Sequence, residues 1–427
     1  MMKIYRTDFY KRFECTASDC KEHCCGGWRV LLDADALRRF RAEKGLTGLK
    51  LRLAMRGADS PVRGLFGVGV KGDGAVAFSK YHSECMFHDR TGLCALQLEK
   101  GHDYLPLTCR VFPRRRRLYG PFAEEHLDLS CVEAARLFLE KASGKARVNG
   151  NAAAGGGEGN GPAGSGWLQA YDEDISYSRY GNNENEAFLY GLFDARENLI
   201  RRLASVKDRD TMEGALRDIV AQCEAWQERC ASGSENPFAD GLTEACPAIA
   251  DADDTNRVIP EPDGVCRYLP MPIGLINQMI NRFLYDDDKR GRNRFLNRLC
   301  RLYFKAFDDL DERSGQKKSE QLVSKHIARH SVPKYRDYLI YHLYRQFLEV
   351  YEDYSFLRKI HVGITCMNII LLFDALWEEA YGPLSAEDEA RIIAVFEKRV
   401  YHNNRMEAEL YRLIDANRYD AFSRLSS

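Results

Sequence analysis

The chain has 427 residues, and its content of 45% apolar and 11% aromatic residues is typical of a globular protein with two or three domains. Its 62 Lys and Arg residues are balanced by 63 Asp and Glu residues, whereas dedicated nucleic-acid-binding proteins usually carry a basic excess. The N-terminus lacks the apolar core of a signal peptide, and the longest apolar stretch, residues 362–373, is too short to span a bilayer. We therefore expect a soluble cytoplasmic protein with no nucleic-acid or membrane partner.

Cysteines and charges divide the chain into two parts. Eight of the fourteen cysteines lie at or before Cys131, and residues 1–142 contain 25 Lys and Arg against 18 Asp and Glu, a net charge of +7. The remainder of the chain carries a net charge of -8. Nine of the 24 residues in 143–166 are glycines, so this segment buries too little apolar surface to offset its ordering entropy. The sequence predicts a cysteine-rich domain over 1–142, a flexible linker over 143–166 and an acidic domain over 167–427.

The first domain mixes strand and helix signals, which predicts an α+β fold. Residues 28–32 form a predicted strand, and Asp33 is placed to cap a helix that ends near Gly45. An Asp-Gly turn within 67–74 predicts a β-hairpin, and the strand-like run after it argues against a nucleotide-binding loop. Ser130 and Glu133 have capping-box spacing ahead of a helix over 134–142.

The second domain has helical periodicity almost throughout, because its apolar residues recur three and four positions apart. We expect a mostly α-helical bundle or array. The predicted helices are Glu186–Leu203, Thr211–Arg229, Ile276–Tyr285, Arg292–Phe307, Val332–Tyr351, Phe356–Tyr381 and Ala386–Tyr401.

The N-terminal cysteines form the pattern that carries the most chemical information. In a reducing compartment, metal ligation is a better explanation for them than disulfide formation, and thiolates favour zinc or iron–sulfur clusters. Neither zinc nor buried free thiols are excluded, since no usual ferredoxin spacing is present. Neighbouring side chains diverge, so Cys24 and Cys25 indicate either a multinuclear cluster or one ligand beside one packing thiol. The candidate ligands, in order of preference, are Cys20, Cys24, Cys85, Cys109, Cys94, Cys131, Cys15 and Cys25.

Two further features belong with these cysteines. Cys131 is predicted to lie in the first turn of its helix, where the positive helix end would lower the pKa of the thiol. Arg110 and Arg114 flank the Cys109 block, and a guanidinium near thiolates is suited to binding a cofactor carboxylate or an acidic part of a protein substrate.

These motifs resemble the flagellin lysine-N-methylase family. The similarity lies in FECTASDCKEHCCGGWRVLLD, CMFHDRTGLCAL, LTCRVFPR and LDLSCVEAARLFL, and in weaker helical segments near the C-terminus. That family belongs to a wider group with a CxxCxxxCC-type iron- or zinc-chelating domain. Four residues separate Cys15 from Cys20 here, where the family has two. The matching residues are Phe13, Cys15, Cys20, Cys24, Cys25, Gly27, Trp28, Asp33, Cys85, Gly92, Cys94, Cys109, Pro113, Arg114 and Cys131.

The resemblance implies S-adenosylmethionine-dependent methylation of flagellin lysines, with an associated iron–sulfur cluster, [4Fe-4S] in our interpretation, or zinc as the alternative. Methyl transfer would proceed by polar displacement or by a radical route. We expect the basic domain to bind the cofactor and the acidic domain to recognise the protein substrate. Two alternatives remain: a metal-binding or electron-transfer module without methyltransferase activity, and a flagellar adaptor with a structural cluster. The sequence identifies neither the catalytic proton acceptor nor the oligomeric state.

Overall fold

The computed structural model describes most of the chain. The described residues are 2–26, 30–56, 76–78, 80–81, 84–89, 91–142, 168–173, 186–234, 237–238, 268–285, 293–330, 332–402 and 404–421. The predicted hairpin turn within 67–74, the predicted linker 143–166, and the motif residues Gly27 and Trp28 lie outside these ranges.

The N-terminal region is α+β, as predicted. Its elements are β1 Met2–Thr7, α1 Ala34–Ala42, α2 Gly45–Ala54, β2 Met55–Arg56, β3 Ala77–Phe78, β4 Lys80–Tyr81, β5 Glu84–Cys85, α3 Ala95–Lys100, α4 Leu107–Val111, β6 Arg114–Leu118, β7 Phe122–Leu127, α5 Val132–Ala142 and β8 Leu168–Glu173. The predicted strand over 28–32 is reduced, in its described part, to an isolated bridge between Leu31 and Ala77.

A four-stranded mixed sheet organises this region, with the strand order β6-β7-β1-β8. Strand β1 runs parallel to β7 and antiparallel to β8, while β6 and β7 form an antiparallel pair. Strand β8 was not predicted: it lies beyond the predicted linker, in the part of the sequence assigned to the helical domain, yet it extends the N-terminal sheet. The chain after the linker therefore contributes to the first region as well as to the second.

The C-terminal region is helical, which confirms the predicted class. Its helices are α6 Glu186–Ala204, α7 Arg209–Ala231, α8 Ile273–Met279, α9 Arg294–Phe307, α10 Glu312–Ile327, α11 Pro333–Gln346, α12 Val350–Asp353, α13 Phe356–Tyr381, α14 Ala386–Tyr401 and α15 Asn404–Ala421. Helix α8 continues as a π-helical turn over Ile280–Leu284, and a 3₁₀ turn over Phe347–Glu349 interrupts the predicted helix Val332–Tyr351. Helices α10 and α15 were not predicted.

Helix α13 is the centre of the helical region. Its 26 residues are long and apolar enough to cross a membrane, and its apolar window is entirely buried inside the protein. The helix is thus longer than the apolar stretch that the sequence analysis considered. Gly363 allows α11 to approach closely, because a Cβ at that position would lie 2.6 Å from Cδ2 of His342 and 2.7 Å from a methyl of Leu339.

The sheet and the helices share one hydrophobic core, so the two predicted domains are packed as a unit. Tyr341 donates a hydrogen bond to the carbonyl of Leu127 at 2.8 Å, and Tyr344 donates to the carbonyl of Tyr5 at 2.9 Å. Arg196 of α6 donates to both carboxylate oxygens of Glu124 at 2.5 and 2.9 Å, with both side chains buried. Breaking this buried pair by removing one partner would leave an uncompensated charge.

Candidate functional site

The cysteine-bearing segments converge through local structure that the sequence partly predicts. Asp33 caps α1, as expected: its carboxylate accepts from the backbone N–H of Ala36 at 2.9 Å and also from that of Leu107 at 2.6 Å. The second bond ties the start of α4, which carries Cys109 and Arg110, to the start of α1. Burial raises the pKa of Asp33, but these hydrogen bonds lower it. As a net result the pKa of Asp33 lies below its usual value.

A small hydrophobic core supports most of the site. Cys85 is buried within this core, and Cys25, Cys94 and Cys109 pack against it. The backbone N–H of Cys85 donates to the carbonyl of Cys25 at 2.9 Å, which joins the first cysteine block to the second. In contrast, Cys15 is exposed, and its sulfur accepts from a backbone N–H of its own loop at 3.4 Å.

Cys24 is the neighbour that four of these thiols share. Burial is the main cause that raises the pKa values of Cys20, Cys94, Cys109 and Cys131, and in all four the charge of Cys24 adds to the rise. Because Coulomb interactions weaken with distance, Cys24 lies near each of the four. The structure thus brings together residues from all four predicted cysteine blocks.

Cys24 is also the thiol best prepared to act as a thiolate. The pKa of Cys24 is lowered to about 6: the hydrogen bond with Cys25 is the largest cause, burial opposes it, and the charges of Lys398 and His88 add to the lowering. The same pairing raises the pKa of Cys25. The two adjacent thiols thus share a proton, which is compatible with one ligand beside one hydrogen-bonding thiol.

Helix α14 of the C-terminal region completes the site. Lys398 donates to the carbonyl of His23 at 2.7 Å, next to Cys24 in sequence. The ring of His23 stacks on His88 with centroids 3.8 Å apart, and a Cβ on Gly26 would approach the His23 ring to 2.9 Å. Glycine is thus required where this loop folds against the histidine.

The same loop is held to the helical region by a second set of contacts. Glu22 accepts from Arg391 of α14 at 2.6 Å and from Asn293, the N-cap of α9, at 2.8 Å. The carboxylate of Glu22 therefore joins two C-terminal helices to the first cysteine block, and the site lies between the two regions of the chain.

The structure corrects the predictions made for the start of α5. The helix begins at Val132, and the carbonyl of Cys131 accepts from the backbone N–H of Ala135 at 2.9 Å, so Cys131 rather than Ser130 occupies the N-cap position and precedes the first turn. Burial raises the pKa of Cys131 to about 12, although hydrogen bonds from the helix backbone at Ala134 and Glu133 act in the opposite direction. The predicted lowering of this pKa is wrong because desolvation exceeds the effect of the helix end.

The thiol arrangement can be compared with what metal groups require. A tetrahedral zinc ion with Zn–S bonds of about 2.3 Å holds its sulfurs roughly 3.8 Å apart. Among the described residues, three possible donor atoms lie within 4.8 Å of one another at His326, His330 and Glu378. The described cysteines form no such group of three. Thiolates are soft donors that suit zinc as well as iron–sulfur groups, so the donor chemistry alone leaves both as candidates.

The two arginines proposed for cofactor binding occupy different environments. Arg114 donates to the carbonyl of Phe13 at 2.9 Å and lies over the ring of Phe13. Arg110 follows Cys109 on α4, and its Nε is buried without a hydrogen-bond partner among the described residues. Arg110 is thus the one with unused hydrogen-bonding capacity beside the thiols.

The other arginines of the run are used in ion pairs along the sheet. Arg115 contacts Asp128 at 3.1 Å, Arg116 pairs with Glu125, and Arg117 pairs with Glu349. This run forms strand β6, and its charges are compensated within the fold.

Sequence reasoning missed three residues of the site. Lys398 and His88 influence Cys24, and His402 contacts Asp128 at 3.0 Å and Ser130 at 2.8 Å beside Cys131. Lys398 and His402 lie far from the cysteines in the chain, so no local spacing could have indicated their roles.

Comparison with known proteins relates the C-terminal part of the chain to a known family. Residues 223–427 match the family model of the FliB lysine N-methylase C-terminal domain. A 131-residue stretch is 28% identical to a lysine-N-methylase of Salmonella typhimurium, covering 31% of each chain. A stretch of 131 residues is also 28% identical to the flagellar biosynthetic protein FliU of Salmonella muenchen, and it covers 31% of this chain and 73% of FliU. No solved structure matches the chain.

The similarity thus spans about a third of the length of the Salmonella typhimurium lysine-N-methylase, and a lysine-N-methylase of Salmonella choleraesuis shows the same coverage. The family model includes helix α14, and so Lys398, which contacts the first cysteine block. Together with the four cysteine blocks, these matches make the chain similar to the flagellin lysine-N-methylase family, most clearly over residues 223–427.

Proposed function

We propose that this protein methylates lysine ε-amino groups of flagellin, with S-adenosylmethionine as the methyl donor and a [4Fe-4S] cluster bound by its N-terminal cysteines. The observation that carries the proposal is that several thiols lie near Cys24, next to His23, whose carbonyl accepts a hydrogen bond from Lys398 of the matched C-terminal domain. The names of the lysine-N-methylase relatives support the reaction class, and the name of FliU supports the flagellar substrate.

The residues that would hold the cluster are the thiols that lie near one another, among which Cys24 ionises most readily. Cys24 supplies the thiolate, and Cys20, Cys85, Cys94, Cys109 and Cys131 surround it as further ligands. When bound, such a cluster supplies either an iron that can coordinate the amino and carboxylate groups of the cofactor or an electron for radical chemistry. Zinc bound by a subset of these thiols is the alternative, and it would serve a structural purpose.

The chain's own groups then position the cofactor. Arg110 presents a buried, unsatisfied Nε beside Cys109, and a guanidinium pairs well with a carboxylate such as that of S-adenosylmethionine. Because the Nε atom of Arg110 is buried, little water would screen this charge pair. The acidic excess of residues 143–427 would attract a lysine-bearing surface of flagellin, so methylation should weaken as salt concentration rises.

The proposal is tested by incubating anaerobically purified protein with flagellin and methyl-labelled S-adenosylmethionine. We expect label in flagellin, together with iron and acid-labile sulfide in the protein. Cys24→Ser should lose iron and activity, because Cys24 is the central thiolate. Cys230→Ser is the matched control, since Cys230 lies on α7 outside the cysteine blocks and should retain both.

The products and metal content separate the alternatives. S-adenosylhomocysteine alone indicates polar transfer, whereas 5′-deoxyadenosine indicates a radical route. Colourless protein with stoichiometric zinc would overturn the cluster assignment. A protein that retains its iron but transfers no label to flagellin would support the metal-binding or electron-transfer module instead.

A further inference from the structure

A group of imidazole and carboxylate donors lies at the contact between α10 and α13. His326 is in the last turn of α10, His330 follows four residues later, and Glu378 lies near the end of α13. Nδ1 of His326 is 2.7 Å from Oε2 of Glu378, and Nε2 of His330 is 3.1 Å from Oε1. One donor atom from each residue lies within 4.8 Å of the other two. Neither the cysteine site nor the proposed reaction uses these residues.

The other nitrogen of His326 is fixed by a buried chain of hydrogen bonds. Nε2 of His326 contacts the hydroxyl of Tyr335 at 2.7 Å, and this hydroxyl donates to Asp374 at 2.8 Å. His326, Tyr335 and Asp374 are all buried. Ligating histidines commonly have their second nitrogen oriented in this way by a chain that ends at a carboxylate.

The proton positions along this chain of hydrogen bonds determine whether Nδ1 of His326 faces Glu378 with a proton or with a lone pair. The hydroxyl of Tyr335 donates its only proton to Asp374, so the Tyr335 oxygen can accept a proton from Nε2 of His326. In a neutral imidazole with its proton on Nε2, Nδ1 carries a lone pair, and this nitrogen lies 2.7 Å from the carboxylate of Glu378. Nδ1 and the carboxylate are then both available as metal ligands.

We propose that His326, His330 and Glu378 bind a divalent first-row transition-metal ion. Two neutral imidazoles and one carboxylate suit zinc, iron(II) and nickel, and three protein ligands leave coordination positions for water or a ligand. The donors are harder than the thiolates around Cys24, so the chain has two metal sites of different ligand chemistry.

The surroundings of this site set its accessibility and its charge. The side chain of His330 is 27% exposed, so an ion can enter from that side. Arg329 lies 3.5 Å from Glu378 and is 56% exposed; it neutralises the carboxylate in the ion's absence and is free to swing away. On the inner side, Lys334 is held by Asp374 at 3.1 Å and by Glu389.

The test measures Ni²⁺ binding to the full chain by calorimetry, since imidazole suits nickel and thiolate sites select other ions. We expect His330→Gln and Glu378→Gln to weaken the binding of one Ni²⁺ by about tenfold or more. His102→Gln is the matched control, because His102 is an exposed histidine of the N-terminal region, and it should bind as the wild type does.

A fourth variant keeps the proposal testable if the removal of a ligand destabilises the fold. Arg329→Gln removes only the competing positive charge, so it should bind Ni²⁺ more tightly than the wild type. Thermal unfolding of each metal-free variant shows whether that variant is folded, and only folded variants are compared with the wild type in Ni²⁺ binding. Equal Ni²⁺ binding by the wild type and all four variants, or no binding by the wild type, would overturn the proposal and leave a hydrogen-bonded ion-pair cluster only.

Discussion

The ammonium of Lys398 lies against the backbone of His23, where its charge helps to keep the adjacent Cys24 in the thiolate form. The two residues come from opposite ends of the chain. Through this contact a helix of the C-terminal region contributes to the ionisation of a cysteine in the N-terminal region.

Lys398→Met should therefore raise the pKa of Cys24. The hydrogen bond with Cys25 would remain, so we expect an upward shift of about one pH unit rather than a return to the usual value. Alkylation of reduced, metal-free protein across a pH series, read by mass spectrometry of the Cys24 peptide, measures the midpoint. Lys398→Arg preserves the charge and should behave as the wild type, and an unchanged midpoint in Lys398→Met would contradict the assignment.

Gly363→Ala should destabilise the helical region. The new methyl would overlap His342 and Leu339 of α11, and overpacking of this kind costs about 1–3 kcal/mol. Gly214→Ala is the matched control, because Gly214 lies inside α7 with no neighbouring atom within 4 Å of the position a Cβ would take, and removing a helical glycine there stabilises by about 0.5–1 kcal/mol. Urea denaturation of both variants tests the contrast, and equal effects would contradict it.

Glu197 should make stability fall between about pH 4.5 and pH 7. Burial, with the nearby Glu124 adding to it and Arg196 opposing it, raises the pKa of Glu197 to about 7 from its usual 4.5. A raised carboxyl pKa means that the folded state binds the proton more tightly, so stability decreases as pH rises through this window and the loss persists above it. Glu197→Gln should be more stable relative to the wild type at pH 8 than at pH 5, by roughly 1–2 kcal/mol.

Denaturant titrations at the two pH values measure this difference for Glu197→Gln. Glu224→Gln, which replaces a carboxylate at the surface of α7, provides the comparison and should show no such change between the two conditions. A pH-independent effect of Glu197→Gln would mean that this carboxyl does not titrate within the window.

Arg110 and Arg114 should differ in their effects on cofactor affinity. Arg110→Gln removes the unsatisfied guanidinium beside Cys109 and should weaken S-adenosylmethionine binding by about tenfold, since a charged hydrogen bond contributes about 1.5–3 kcal/mol. Arg114→Gln breaks a contact with Phe13 and should lower stability with a smaller effect on affinity. Equilibrium binding and thermal unfolding together separate the two roles, and a larger loss of affinity in Arg114→Gln would reverse the assignment.

The helices that could be predicted are those with continuous apolar periodicity. The bounds of α13 and α14 agree with the prediction, because long amphipathic or fully apolar runs and the Ser385 cap are local signals. Helix α10 was missed because it buries Gly315, Ser319 and His326, which carry little hydrophobic signal. Strand β8 was missed because its partner β1 lies at the other end of the N-terminal region.

By itself the sequence determined which thiols are available and that they occur in four blocks, since cysteine type and spacing are properties of the chain. It also determined the Asp33 cap, whose first hydrogen bond spans three residues. Only the tertiary structure decided how burial and the charge of Lys398 change the pKa of Cys24, because folding brings Lys398 close to a residue far away in the sequence. For Cys131 the local helix end predicted a lowered pKa, and burial by the surrounding fold raised it instead. Ionisation depends on desolvation and on charges brought together by folding, and neither quantity is contained in local spacing.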